Sequence, residues 1–151
     1  MDVFSPEVCE GIVEYLRKQP LPRWFHRNQI NSVPVKRGDF DADYYFMGDR
    51  QMAAEDAEFF LSISPLIDGE APAEIGFNMY KPGNFMPEHI DRALYRYTMV
   101  IQLCDNGDGI EIEGKFYEDT PGSAVIFEAN SLPHAVPRTK HLRFVMLCLY
   151  K

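Results

Sequence analysis

The chain is short of cysteine, tryptophan and positive charge, and no long apolar run interrupts it. Its three cysteines, Cys9, Cys104 and Cys148, are an odd set without a C-x-x-C pair. They read as small buried hydrophobes in a reducing compartment, not as a disulfide framework. Lys and Arg number 15 against 23 acidic residues, a formal net charge of -8. Polynucleotide binding draws on Lys and Arg to neutralise phosphates, so nucleic acid is not the expected partner. No stretch of about 18 apolar residues is present to cross a bilayer. The amino end, Met1-Asp2-Val3-Phe4, lacks the basic and apolar regions of a signal peptide. The expected setting is cytoplasmic, with no membrane partner and an oligomeric state that the sequence leaves open.

What is present suits a globular core. The chain has 151 residues, 46% of them hydrophobic, and a domain of this size buries roughly 68–70% of its unfolded surface without staples. One domain spanning 1–151 is expected. Ser5-Pro6-Glu7 reads as a helix start, with a Ser cap, Pro at the first position and an acid in the first turn. Cys9, Ile12, Val13 and Leu16 follow at helical spacing. Residues 23–48 suggest irregular structure or short strands. A second helix is expected over 49–62, with Met52, Phe59, Phe60 and Ile63 on its buried side.

From residue 74 the pattern becomes short apolar or alternating runs. Strands are expected at 75–80, 85–91, 95–104, 110–117, 124–127, 135–136 and 142–150, punctuated by Gly, Pro and Asn turns. Closely spaced strands with such turns indicate a sandwich or barrel of jelly-roll type over 74–151, with 1–73 as helical and irregular support.

One triplet stands out. His89 and Asp91 are spaced i, i+2, so on a strand they project from one face and can grip a single metal ion. His134, entering a later strand, would complete a 2-His-1-carboxylate facial triad with open coordination positions. Arg143 lies inside the apolar run 142–150, where a guanidinium is costly unless it is paired or faces solvent. Its planar fork suits a carboxylate at the bottom of a pocket. Arg138 is the alternative for that clamp.

These residues carry a family resemblance. Asn78-Met79-Tyr80-Lys81-Pro82-Gly83 followed by His89-Ile90-Asp91 resembles the N-x-Y-x-P-G…H-x-D opening of Fe(II)/2-oxoglutarate-dependent dioxygenases. Pro121 to Phe127, His134-Ala135-Val136 and Arg143 resemble their closing half. The start Phe4-Ser5-Pro6-Glu7-Val8-Cys9 is similar to the amino-terminal helix of the prolyl 4-hydroxylase-like branch. The resemblance implies a mainly β (α+β), double-stranded β-helix, cupin-like fold. It implies His89, Asp91 and His134 as Fe(II) ligands and Arg143 as the clamp on the distal carboxylate of 2-oxoglutarate. It also places Tyr80, Asn78 and Gln102 at the cosubstrate, with O2 as oxidant and ascorbate as a candidate reductant. The Arg-x-Asn…Arg ending of the nucleic-acid-repair relatives is missing, and Lys140-His141-Leu142 stands where a Gly usually precedes the clamp.

The implied activity is hydroxylation of a peptidyl amino acid, prolyl among the candidates, or of a free amino acid, with release of succinate and carbon dioxide. The substrate would be a small molecule or a peptide. A metal-binding cupin-like module or isomerase without 2-oxoglutarate is the alternative, and a nucleobase-oxidising dioxygenase the third reading. Loops at the barrel mouth carry specificity in such folds. Tyr45, Arg92, Tyr95 and Arg96 are the candidate substrate contacts.

Overall fold

A computed structural model of the chain describes residues 1–92 and 94–151; Ala93, between the candidate substrate contacts Arg92 and Tyr95, lies outside them. Helix α1 (Pro6–Arg17) begins as the sequence dictates. The Ser5 side chain accepts a hydrogen bond from the Val8 N–H, and Cys9, Ile12 and Leu16 are buried along one stripe. Helix α2 (Ala54–Ile63) starts later than expected. Gly48 donates to the Gln51 side chain and Gln51 N–H to the Gly48 carbonyl, so a turn occupies the segment that was expected to be the first helical turn. Phe60 is buried and meets Phe77 edge-on at 5.0 Å, whereas Phe59, expected inside, is 57% exposed.

Eleven strands are described: β1 (Phe25–Gln29), β2 (Val33–Pro34), β3 (Asp41–Gly48), β4 (Glu74–Tyr80), β5 (Met86–Ile90), β6 (Tyr97–Gln102), β7 (Gly109–Ile112), β8 (Lys115–Glu118), β9 (Ala124–Phe127), β10 (His134–Val136) and β11 (Arg143–Tyr150). They form a six-stranded sheet ordered β1-β3-β4-β11-β6-β9 and a five-stranded sheet ordered β2-β5-β10-β7-β8. The pairings are antiparallel. This is the jelly-roll of the expectation. Two differences stand out. The run 110–117, read as one strand, is a hairpin turning at Glu113 and Gly114, whose φ angles of 52° and 78° give the primed turn that suits strand twist. Upstream of residue 74, β3 is a full eight-residue strand that seats β1 on the edge of the larger sheet.

The larger sheet is buried on both faces. On one face α1 and α2 pack against Phe77, Met79, Ile101, Phe144 and Met146. The other face turns Tyr44, Tyr80, Val100 and Val145 toward the smaller sheet. Alternation along β11 therefore puts Arg143 and Val145 on the inter-sheet face and Phe144 and Met146 beneath the helices. The functional side chains collect on that inner face. No helix among the described residues is long and apolar enough to cross a membrane.

Candidate active site

His89 is the penultimate residue of β5, and Asp91 lies just past the strand end, where its N–H donates to the Ala129 carbonyl. His134 opens β10 directly opposite His89. Cross-strand neighbours lie close enough for their side chains to share one ligand. The Nε2 atoms of His89 and His134 each stand 3.2 Å from Asp91 Oδ1, and the two imidazole rings are 4.2 Å apart. Both histidines are buried, while Asp91 stays partly open to the cavity.

The tautomers follow from the backbone. His89 Nδ1 lies 2.7 Å from the Pro87 carbonyl, and His134 Nδ1 lies 2.8 Å from the Leu132 carbonyl. A carbonyl can only accept, so each Nδ1 carries the proton and donates it. In the neutral rings this leaves both Nε2 lone pairs aimed at one carboxylate oxygen. Three electron-rich atoms facing one another call for a cation between them, and two imidazoles with a carboxylate form the donor set of a facial-triad metal centre. Without a cation, protons must take its place: burial raises the Asp91 carboxyl, but Nε2–H donors on His134 and His89 and the positive charge they bring hold it well below the usual carboxylate range.

The triad borders a cavity of about 420 Å³ between the two sheets. Arg143 closes one end of it, 1% exposed. Its Nε donates to Asp119 Oδ2 at 2.6 Å and its Nη2 to Asp119 Oδ1 at 3.0 Å. Burial works against the Arg143 charge, but the hydrogen bonds and charge of Asp119 more than offset this and hold its pKa above the ordinary value. Nη1 is buried with no partner among the described residues, and so is the Oδ1 of nearby Asn78. Each orphaned group costs about 1–3 kcal/mol until something pairs with it. Tyr80 packs under the guanidinium, 5.1 Å from its ring centre, and its hydroxyl accepts from Asn78 Nδ2 at 3.3 Å. A carboxylate-bearing ligand would meet Nη1 here. The residues therefore fit both a metal and an acidic cosubstrate.

No family model matches the chain, and neither does any curated protein by sequence. Solved structures do match. A prolyl-4-hydroxylase from Pseudomonas putida aligns with a TM-score of 0.64 at 17% identity, over 99% of this chain and 89% of that chain. A viral collagen prolyl hydroxylase from Paramecium bursaria chlorella virus-1, determined in complex with 2-oxoglutarate, gives 0.59 at 15% identity over 99% and 92%. A 2-oxoglutarate–Fe(II) oxygenase family protein from Burkholderia pseudomallei gives 0.61 at 14% over 97% and 80%. The chain shares the fold of these structures. Identities this low speak for the fold; the chemistry rests on the side chains.

Within that fold, the expected site residues divide. His89, Asp91, His134, Arg143, Tyr80, Asn78, Arg92 and Tyr95 all border the one cavity. Gln102 is not among its lining residues. Its amide accepts from Thr120 N–H and donates to the Tyr117 carbonyl, pinning the segment that carries Asp119. Tyr45 is on the opposite face of β3, stacked on His26 at 4.8 Å with the Lys81 ammonium over its ring. Its neighbours Tyr44 and Phe46 line the cavity instead. Arg96 lies over the Tyr97 ring and Arg138 over the Phe85 ring, neither of them on the cavity wall. The missing Gly before the clamp is compensated by Asp108, whose carboxylate accepts from the N–H groups of Lys140 and His141. Asp119 and Arg27 were not anticipated. A buried Arg does signal a missing acid, but 23 acidic residues gave no means of choosing one.

Proposed function

We propose that the protein is a non-haem Fe(II)- and 2-oxoglutarate-dependent dioxygenase that hydroxylates a peptidyl amino acid, prolyl included, or a free amino acid. The observation that carries this reading is the unpartnered Nη1 of buried Arg143 in the same cavity as the His89–Asp91–His134 cluster. A metal-binding module or isomerase needs the cluster but has no use for a buried cation with an unsatisfied donor.

His89, Asp91 and His134 would hold the iron, and Arg143 with Tyr80 would hold the far carboxylate of 2-oxoglutarate. Bound there, the two would activate O2, the oxidant, one oxygen atom going to succinate as 2-oxoglutarate loses carbon dioxide and the other to the substrate as its hydroxyl. The chain's own contribution is order. Hydrogen bonds from both Nδ1 atoms fix the ring planes before any metal arrives. Asp119 fixes the guanidinium so that one nitrogen faces the ligand. Val100, Val136 and Val145 wall the cavity with hydrocarbon and keep water from the reacting atoms.

The test is an anaerobic titration with Fe(II) and 2-oxoglutarate, read by the visible charge-transfer band of the chelate. The band is expected in the native chain and absent in His89→Ala. In Arg143→Ala it should need far more 2-oxoglutarate. Tight metal binding without any band would favour the cupin-like module instead.

A further inference from the structure

The cavity has a second cationic end. Arg27 on β1 pairs with Tyr44 on β3, and Arg143 on β11 pairs with Tyr80 on β4. Tyr44 and Tyr80 stack at 5.7 Å, so the four side chains form one row across the larger sheet. Three strand spacings separate the two arginines, about 14 Å between backbones. One carboxylate cannot serve both. Arg27 is half-buried on the cavity wall, and exposed Arg92, beside the Asp91 ligand, lines the same mouth. Neither forms an ion pair among the described residues.

Arg27 and Asp91 border the same cavity. Burial raises the Tyr44 hydroxyl, the charge and hydrogen bonding of Arg27 lower it, and Asp91 raises it again, so both charges reach the same phenol. Two guanidiniums at the mouth of one cavity are conspicuous in a chain of net charge -8. Ile30, Phe46, Leu147 and Leu149 line the same cavity with hydrocarbon.

We infer that Arg27 and Arg92 form an anion site for the primary substrate, a small molecule with a free carboxylate on an apolar body. The inference rests on the oxygenase reading only for the word substrate. It narrows that reading, because a residue inside a peptide chain has no free carboxylate to offer. A guanidinium fork matches a carboxylate in plane and spacing. Next to Asp91 a singly charged carboxylate is also easier to seat than a dianionic phosphate.

The test uses the full chain loaded with redox-inert Zn(II), by calorimetry, with and without saturating 2-oxoglutarate. The probes are L-proline, L-leucine and their N-acetyl forms, each against its carboxamide. The carboxylates should bind about ten-fold or more tightly than the amides, as a charge-assisted contact predicts. That ratio should collapse toward one in Arg27→Gln and Arg92→Gln, and Arg27→Lys should restore part of it. Affinity for 2-oxoglutarate should stay as in the native chain. Equal binding of acid and amide, no binding by any probe, or a ratio that survives both glutamine variants would overturn the inference. Failure of 2-oxoglutarate to bind while the Arg-dependent preference persists would instead overturn the oxygenase reading and leave the anion site standing. Thermal melts of each variant separate a lost contact from a lost fold.

Discussion

Asp119 holds Arg143 through two nitrogens, 2.6 Å from Nε and 3.0 Å from Nη2, with both side chains sealed from solvent. Removing the acid would strand a buried guanidinium. Asp119→Ala should cost about 3–5 kcal/mol of stability, the usual penalty for breaking a buried pair by deleting one partner. Because 2-oxoglutarate can bring its own carboxylate to Arg143, saturating cosubstrate should stabilise the variant more than the native chain. Chemical denaturation with and without 2-oxoglutarate measures both effects.

The two candidate clamps differ in their surroundings. Arg138 is exposed and donates to the Gly83 carbonyl, whereas Arg143 lines the cavity and keeps a buried, unpartnered nitrogen. Arg138→Ala should leave the 2-oxoglutarate dependence of the charge-transfer band unchanged and alter stability by no more than about 1 kcal/mol. Arg143→Lys should weaken cosubstrate binding, since an ammonium cannot keep both Asp119 contacts and still present a donor to the ligand.

Asp91 is the hub of the triad, in contact with both imidazoles. Asp91→Ala should abolish turnover coupled to hydroxylation. It should also remove the metal-dependent rise in stability, which for the native chain is about 2.7 kcal/mol at a hundred-fold excess of free metal over Kd. Melting curves with and without Zn(II) read the second effect independently of catalysis. Full activity in the variant would refute the triad.

Cys148 is fully buried, and burial pushes its thiol up to about 11, against hydrogen bonding to Ser64 and Tyr150. A raised folded value means that the folded state holds the proton more tightly than the unfolded chain. The associated stability is complete below the ordinary thiol value and is lost as pH climbs through about 11. Urea midpoints measured from pH 8.5 upward should fall in the native chain and fall less in Cys148→Ala. Cys9 and Cys148 should also resist thiol reagents at neutral pH until the chain is unfolded.

The local sequence was enough for features that depend on near neighbours. Ser5-Pro6-Glu7 capped its helix where expected, because capping is settled within one turn. His89 and Asp91 shared a face because strand periodicity puts i and i+2 together. Parity failed where the phase of a strand was ambiguous. The aromatic run Tyr44-Tyr45-Phe46 reads alike in either phase, and only pairing of β3 with β4 decided that Tyr44 and Phe46 face the cavity. The 110–117 run hid its turn because Glu113 takes a positive φ that sequence statistics seldom assign to it.

By itself, then, the sequence determined the strand-rich jelly-roll, the shared face of His89 and Asp91 at the end of β5, and the anomalous Arg143 in an apolar strand. Tertiary structure alone decided the rest. It chose Asp119 as the partner of Arg143, withdrew Gln102 from the cavity to pin the 117–120 segment, and aligned Arg27, Tyr44, Tyr80 and Arg143 in one row. Each of these is a contact between strands distant in sequence. The register that creates such contacts is set by how two sheets bury their shared faces, a property of the assembled sandwich that no local pattern encodes.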